Sequence, residues 1–187
     1  MRALLDINVI IALLDAKHAM NGAACTWLTQ HQAGGWASCP ITQNGVIRIM
    51  SQPSFPNHQT TAAIAARLAE ACSHPSHQFW EGGISLLDSN HLDWARLLGP
   101  RQITDAYLLA VAVANDGCLV TFDRRITHDL VPRASRSPRT TAVIASSSLR
   151  RFTADPTPTP AAPDAMAIGT VTADNPEAQS TGIAHSA

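Results

Sequence analysis

The chain has 187 residues, 45% of them apolar, which suits one domain with a sizeable core plus an appendage and excludes wholesale disorder. No run approaches the roughly 18 apolar residues needed to span a bilayer, so a membrane protein of the helical kind is not expected. The formal net charge of −1 hides an asymmetry: from Thr153 onward there are four acids and no Lys or Arg, while the rest carries 13 basic and 10 acidic residues.

In chain order, Ala3–Leu5 reads as a buried strand, followed by a helix through Val9–Leu14. This apolar segment carries Asp6 and Asp15 and has no basic flank or small-residue cleavage site. It therefore reads as a strand entering a helix rather than an export signal, with the cytoplasm as the expected location. A second helix covers Asn21–Gln32, and Gly35–Cys39 forms a short strand. Pro40 opens the next helix, which carries Val46, Ile47, Ile49 and Met50 on one side and stops before Pro53 and Pro56. The Ala-rich stretch Thr60–Ser73 is helical. Ile84–Leu87 reads as a strand, with a short helix around Leu92–Leu98. Thr104 caps a strong helix, DAYLLAVAVAN, that ends at Gly117, and Cys118–Phe122 is a continuous apolar strand. Strands alternating with helices predict an α/β fold, a central parallel sheet flanked by helices.

The domain boundary falls near Phe152, giving a folded part of 1–152 and a tail of 153–187. The tail repeats Thr, Pro and Ala, has no aromatic residue after Phe152 and is acidic, so it is expected to be disordered. Seven of the 13 basic residues lie between Arg124 and Arg151, a segment that suits either a phosphate-rich partner or an ordinary solvated edge. The four cysteines, Cys25, Cys39, Cys72 and Cys118, are scattered without C-x-x-C spacing. Neither a zinc site nor a disulfide framework is implied, and most should be small buried residues.

Ligands of an open parallel sheet bind at the carboxyl ends of its strands. Asp6 follows the first strand, Asp123 follows the last, and Asp105 lies in the first turn of its helix. Three carboxylates distant in sequence can thus converge on one edge, a costly arrangement unless a cation neutralises it. Mg²⁺ or Mn²⁺ suits such oxygen ligands and can serve phosphodiester hydrolysis. Each acid also has a plainer role to weigh against this. Asp105 gains from the helix dipole alone, and Asp123 could be a turn residue beside Arg124 and Arg125. Asp6, between two apolar runs, must be solvated or paired and is the hardest to dismiss. Asp88 is read as a helix cap and Asp116, beside Gly117, as a turn residue. The histidines show no metal-ligand spacing.

The segments LLDINVIIALL, TDAYLLAVAV and VTFDRRI, in that order, resemble the signature segments of PIN domains. CPITQNGVIRIMSQP and the FW…SLLD stretch resemble a VapC-type subgroup, and the likeness covers about residues 1–150. It implies a Rossmann-like fold that binds one or two divalent ions and hydrolyses RNA; the sequence names no target, but a small basic surface suits structured RNAs such as transfer or ribosomal RNA. It also implies restraint by a VapB-like antitoxin and a homodimer. By motif, Asp6 and Asp105 match the principal metal-binding acids and Asp123 the last of the cluster. Asn8 resembles the polar residue supporting the first acid, Thr104 the Ser or Thr before the third acidic position, and Arg124 and Arg125 are weak RNA-binding candidates. One departure stands out: the second acidic position, usually Glu, is Gln43 here. A carboxamide is neutral and cannot act as a base, so Gln43 is expected to orient a water while the three acids hold the metal.

Other readings compete. D-I-N-V is a near miss to the nucleophile motif of haloacid-dehalogenase-like phosphatases, but the second Asp is absent and the only Lys is Lys17. A response-regulator receiver lacks its paired acids and strand-end Lys. The stronger alternative is a PIN fold that binds RNA or a partner without cutting, motivated by Gln43. For an antitoxin segment, the Ala62–Cys72 helix and the second helix could offer an apolar groove.

Overall fold

The structure, a computed structural model, describes residues 1–97, 99–126, 128–134 and 140–145. The expected boundary near Phe152 and the acidic tail 153–187 lie outside the described residues. Five strands, β1 (Ala3–Leu5), β2 (Trp36–Ser38), β3 (His77–Phe79), β4 (Cys118–Thr121) and β5 (Thr141–Val143), form one sheet in the order β3-β2-β1-β4-β5. Every pairing is parallel. β1 and β4 are buried at every residue, because both faces of a parallel sheet are covered and its central strands must be apolar throughout.

The covering layers follow from the path of the chain. From β1 it steps outward to β2 and β3, and helices α1 (Ile7–Leu14), α2 (Asn21–His31), α3 (Pro40–Met50) and α4 (Thr61–Cys72) pack on one face with Ala3, Leu5, Trp36 and Val120. It then returns across the sheet to β4 through α5 (Ile103–Ala114), which packs on the opposite face with Leu4, Ala37 and Leu119. Parallel crossovers are nearly always right-handed, so reversing the direction of travel moves the connecting helix to the other face. The reversal makes the gap between β1 and β4 the topological switch point of the sheet. Close packing holds α1 against α3, since a Cβ at Gly45 would fall less than 3.0 Å from the Ile7 side chain.

Several expectations need correction. The strand placed at Ile84–Leu87 is instead β3, His77–Phe79, whose half-buried and exposed residues lack an apolar run. Ile84 and Leu86 follow a turn at Gly82 (φ 71°) and pack beside the α5 cluster as irregular chain. β4 is not the last strand, because β5 pairs outside it. Thr104 does not cap α5: Pro100–Gln102 forms a 3-10 turn leading straight in, Gln102 takes the N-cap position, and Thr104 lies exposed in the first helical turn. The helix expected around Leu92–Leu98 is a 3-10 turn, Trp94–Arg96, capped by Asp93. Asp88 caps no helix; its carboxylate accepts from the Asn90 backbone and side chain in a turn. Asp116 is a turn residue as expected, at φ 51°. Of the cysteines, all unpaired, Cys39 and Cys118 are buried, Cys72 is half-buried and Cys25 is exposed.

Candidate active site

β1 ends at Leu5, and the next residue, Asp6, is the N-cap of α1. Its extended backbone turns the carboxylate back onto the helix, where Oδ1 accepts from Ile7 N at 2.6 Å. Oδ2 accepts from Thr121 Oγ1 at 2.9 Å, so the last residue of β4 reaches across the switch point to hold the acid that follows β1. The same hydroxyl accepts from Asp123 N at 3.0 Å. Thr121 thereby spends its one proton on Asp6 and a lone pair on the Asp123 loop. Sequence reasoning missed this residue. Its signal was a hydroxyl at the carboxyl end of a strand too apolar to be exposed, since a buried hydroxyl needs partners.

Asp6 is only 6% exposed, and its burial raises its pKa. The Thr121 and Ile7 hydrogen bonds work against that, while the Asp123 charge adds to it. Asp105 sits in the first turn of α5, half-buried. Its carboxyl is pushed up to about 6, first by desolvation and then by the charges of Asp6 and Asp123. Asp123 Oδ1 is engaged by Arg125, from the backbone N at 2.8 Å and from Nε at 3.5 Å. The sheet therefore brings the three acids together electrostatically. A cleft of about 210 Å³ opens beside two of them, lined by Asp105 and Asp123 with Arg101, Arg125 and Ile126.

The donor set suits a hard divalent cation, being all carboxylate oxygen with charges that repel one another. Among the described residues no group of three or more His, Cys, Asp or Glu side chains stands close enough together to hold a metal ion by itself. Mg²⁺ can do with fewer protein ligands, since it keeps several waters and takes one or two carboxylates together with substrate phosphate.

The remaining sequence candidates fall less tightly. Gln43 lies in α3, and its Nε2 donates to Ser38 Oγ at 3.0 Å rather than to an acid. Asn8 is exposed in α1 and has no hydrogen bond to Asp6, whose supports are Ile7 N and Thr121. Thr104 is exposed beside Asp105 and borders a second, more apolar cleft with Ile41, Leu87 and Tyr107. Arg124 and Arg125 are both exposed next to Asp123.

No family model matches the chain. Among curated proteins, ribonuclease VapC44 of Mycobacterium tuberculosis is 49% identical over 136 residues, covering 73% of this chain and 96% of that protein. Ribonuclease VapC39 of the same organism is 43% identical over 124 residues, 66% of this chain and 89% of its own length. Ribonuclease VapC29 is 35% identical over 128 residues, 68% and 90% of the two chains. Similarity at this level across nearly the whole of each relative, on a parallel sheet with acids gathered at its switch point, places the chain in the VapC ribonuclease family of PIN-fold proteins.

Proposed function

We propose that this protein is a divalent-metal-dependent endoribonuclease that acts as the toxin of a VapB–VapC-type pair. The observation that carries the reading is the charge coupling of Asp6, Asp105 and Asp123, with Asp105 pushed up to about 6. A protein keeps mutually repelling, partly desolvated carboxylates where a cation relieves them. Mg²⁺ or Mn²⁺ held there would supply Lewis-acid stabilisation of a phosphodiester and a more acidic water.

The chain's own groups divide the remaining work. Thr121 Oγ1 and Ile7 N fix the rotamer of Asp6, so that its lone pairs need no reorganisation. Arg101 and Arg125 border the cleft as phosphate-binding groups, with Arg124 beside them. The Nε2 of Gln43 is taken by Ser38, which leaves Oε1 as the end that can orient a water. Small basic surfaces of this kind read shape and exposed loops, which favours structured targets such as transfer or ribosomal RNA. A VapB-like antitoxin fits α4, whose Ala62, Ala63, Ala66 and Ala69 are exposed, and a homodimer is the proposed assembly. No helix among the described residues is long and apolar enough to cross a membrane, in keeping with a cytoplasmic site of action.

Incubation of purified, antitoxin-free protein with total cellular RNA tests the reading. Discrete fragments should form with Mg²⁺ or Mn²⁺, vanish with EDTA, and fall more than about 100-fold in Asp6→Asn, beyond the range of an outer-shell partner. Gln43 favours a second reading, binding of RNA without cleavage, because a neutral amide stands where a base is usual. Retained RNA affinity with no fragments under either metal would select it.

A further inference from the structure

A buried polar chain adjoins the carboxylate edge. Ser38, the last residue of β2, is fully buried, and its Oγ lies 2.9 Å from His77 Nε2 and 3.0 Å from Gln43 Nε2. His77 stands opposite Trp36 in the β2–β3 register, and their rings pack at 4.4 Å. The imidazole also hydrogen-bonds the backbone carbonyl of Cys72, at the end of α4.

These partners fix where each proton sits. A carbonyl only accepts, so the ring nitrogen facing Cys72 carries a hydrogen. Burial, helped by the Arg2 guanidinium, lowers the basicity of His77 and keeps the ring neutral, leaving the lone pair on Nε2. Ser38 must then donate its single proton to Nε2. Only lone pairs of Ser38 face Gln43, so the side chain at 43 must bring a hydrogen. A carboxamide does so, and an ionised carboxylate cannot.

We propose that Ser38 and His77 are positioning residues for Gln43: together they fix the polarity of its amide, Nε2 on Ser38 and Oε1 free to accept from water, and make a carboxamide the matched group at this position. The consequence for catalysis rests on the nuclease reading, whereas the proton arrangement does not. In Gln43→Glu the chain is one proton short. It is restored when His77 binds that proton, donates from Nε2 to Ser38, and lets Ser38 donate to the new carboxylate. The charged group that acts on His77 is the Arg2 guanidinium before β1, while the Cys72 thiol of α4 lies 3.9 Å from Ser38 Oγ and 4.0 Å from Gln43 Nε2. His74, in the turn ahead of β3, has its ring tied to Ser76. Arg2 opposes a charge on His77, and the introduced carboxylate would offset it.

Histidine ring protons, followed by NMR across pH in the full chain without metal, test this directly, with the His77 signal identified by its loss in His77→Gln. The natural protein should titrate at His77 below the usual histidine range. Gln43→Glu should raise the midpoint by at least about one pH unit, a tenfold gain in proton affinity, and adding Ser38→Ala should cut that gain by more than half, leaving only the through-space attraction of the carboxylate. An unchanged midpoint in Gln43→Glu, or a gain that survives Ser38→Ala in full, overturns the proposal. Where Ser38→Ala does not fold, a stability cycle takes its place. At pH 7.5 Gln43→Glu should lower the folding constant at least tenfold in the natural background and clearly less with His77→Gln, whose amide can turn to donate. Equal losses in the two backgrounds overturn it. A shifted His77 in a protein that cuts no RNA would leave the relay standing and remove only the nuclease reading.

Discussion

Helix α1 holds a buried carboxylate at each end, and the two are treated in opposite ways. Asp15, 8% exposed at the C-cap, accepts from Asn57 Nδ2 at 3.0 and 3.2 Å and from Lys17 N at 3.0 Å. Those amide donors close around it and tie the loop between α3 and α4 to the end of α1. Asp6, 6% exposed at the N-cap, has donors too, yet it also faces Asp123 and presses on Asp105. Burial alone therefore does not mark a functional acid. Donor partners satisfy an anion, whereas acidic partners leave a charge that something else must balance.

Three measurements sharpen or break this contrast. Thr121→Val keeps the shape of the strand but removes the donor to Asp6 and the acceptor for Asp123 N. Metal-dependent cleavage should fall about 10–100-fold, as for other outer-shell partners, and cleavage kinetics would read it. Asn57→Ala at the other end should cost about 1–3 kcal/mol in a urea titration, by stripping a buried carboxylate of its donor, with the cleavage rate unchanged. A large loss of cleavage there, or none in Thr121→Val, would mean that the two ends of α1 do not differ as described.

The smallest effect is a pH dependence. Asp105 in the folded protein titrates at about 6, above its ordinary 3.8, so the folded state binds this proton more readily than the unfolded chain. Its contribution to stability is complete below about 3.8 and lost as pH rises through about 6. Metal-free protein should gain stability on going from pH 7 to pH 5, on the order of 1 kcal/mol once solvent screening of a half-exposed group is allowed for. Asp105→Asn should flatten that profile in thermal melts.

The sequence made the centre of the molecule legible and its edges less so. β1 and β4 are buried on both faces, so their apolar runs stood out and placed Asp6 and Asp123 beside the switch point. β3 and β5 lie at the sheet edges with half-exposed residues, and His-Gln-Phe and Thr-Ala-Val carry no comparable pattern. Missing β3 also hid the Ser38–His77 pair, whose members are 39 residues apart and meet only through the β2–β3 register. Thr104 looked like a cap because Ser and Thr favour that position, but the Pro100–Gln102 turn starts the helix earlier. For Asn8 the expected support of Asp6 came instead from a strand 115 residues away, a contact that local spacing cannot reveal.

In the proposed site Asp6, Asp105 and Asp123 act as one charge-coupled seat for a divalent cation. Calorimetric titration of the folded protein with Mn²⁺ at pH 6 and pH 7.5 tests it most directly, alongside Asp6→Asn, Asp105→Asn and Asp123→Asn. Binding should be saturable, weaker at pH 6, where protons compete at Asp105, and lost or severely weakened in each variant. Binding of equal strength in the natural protein and in Asp105→Asn, or no binding at either pH, would contradict it.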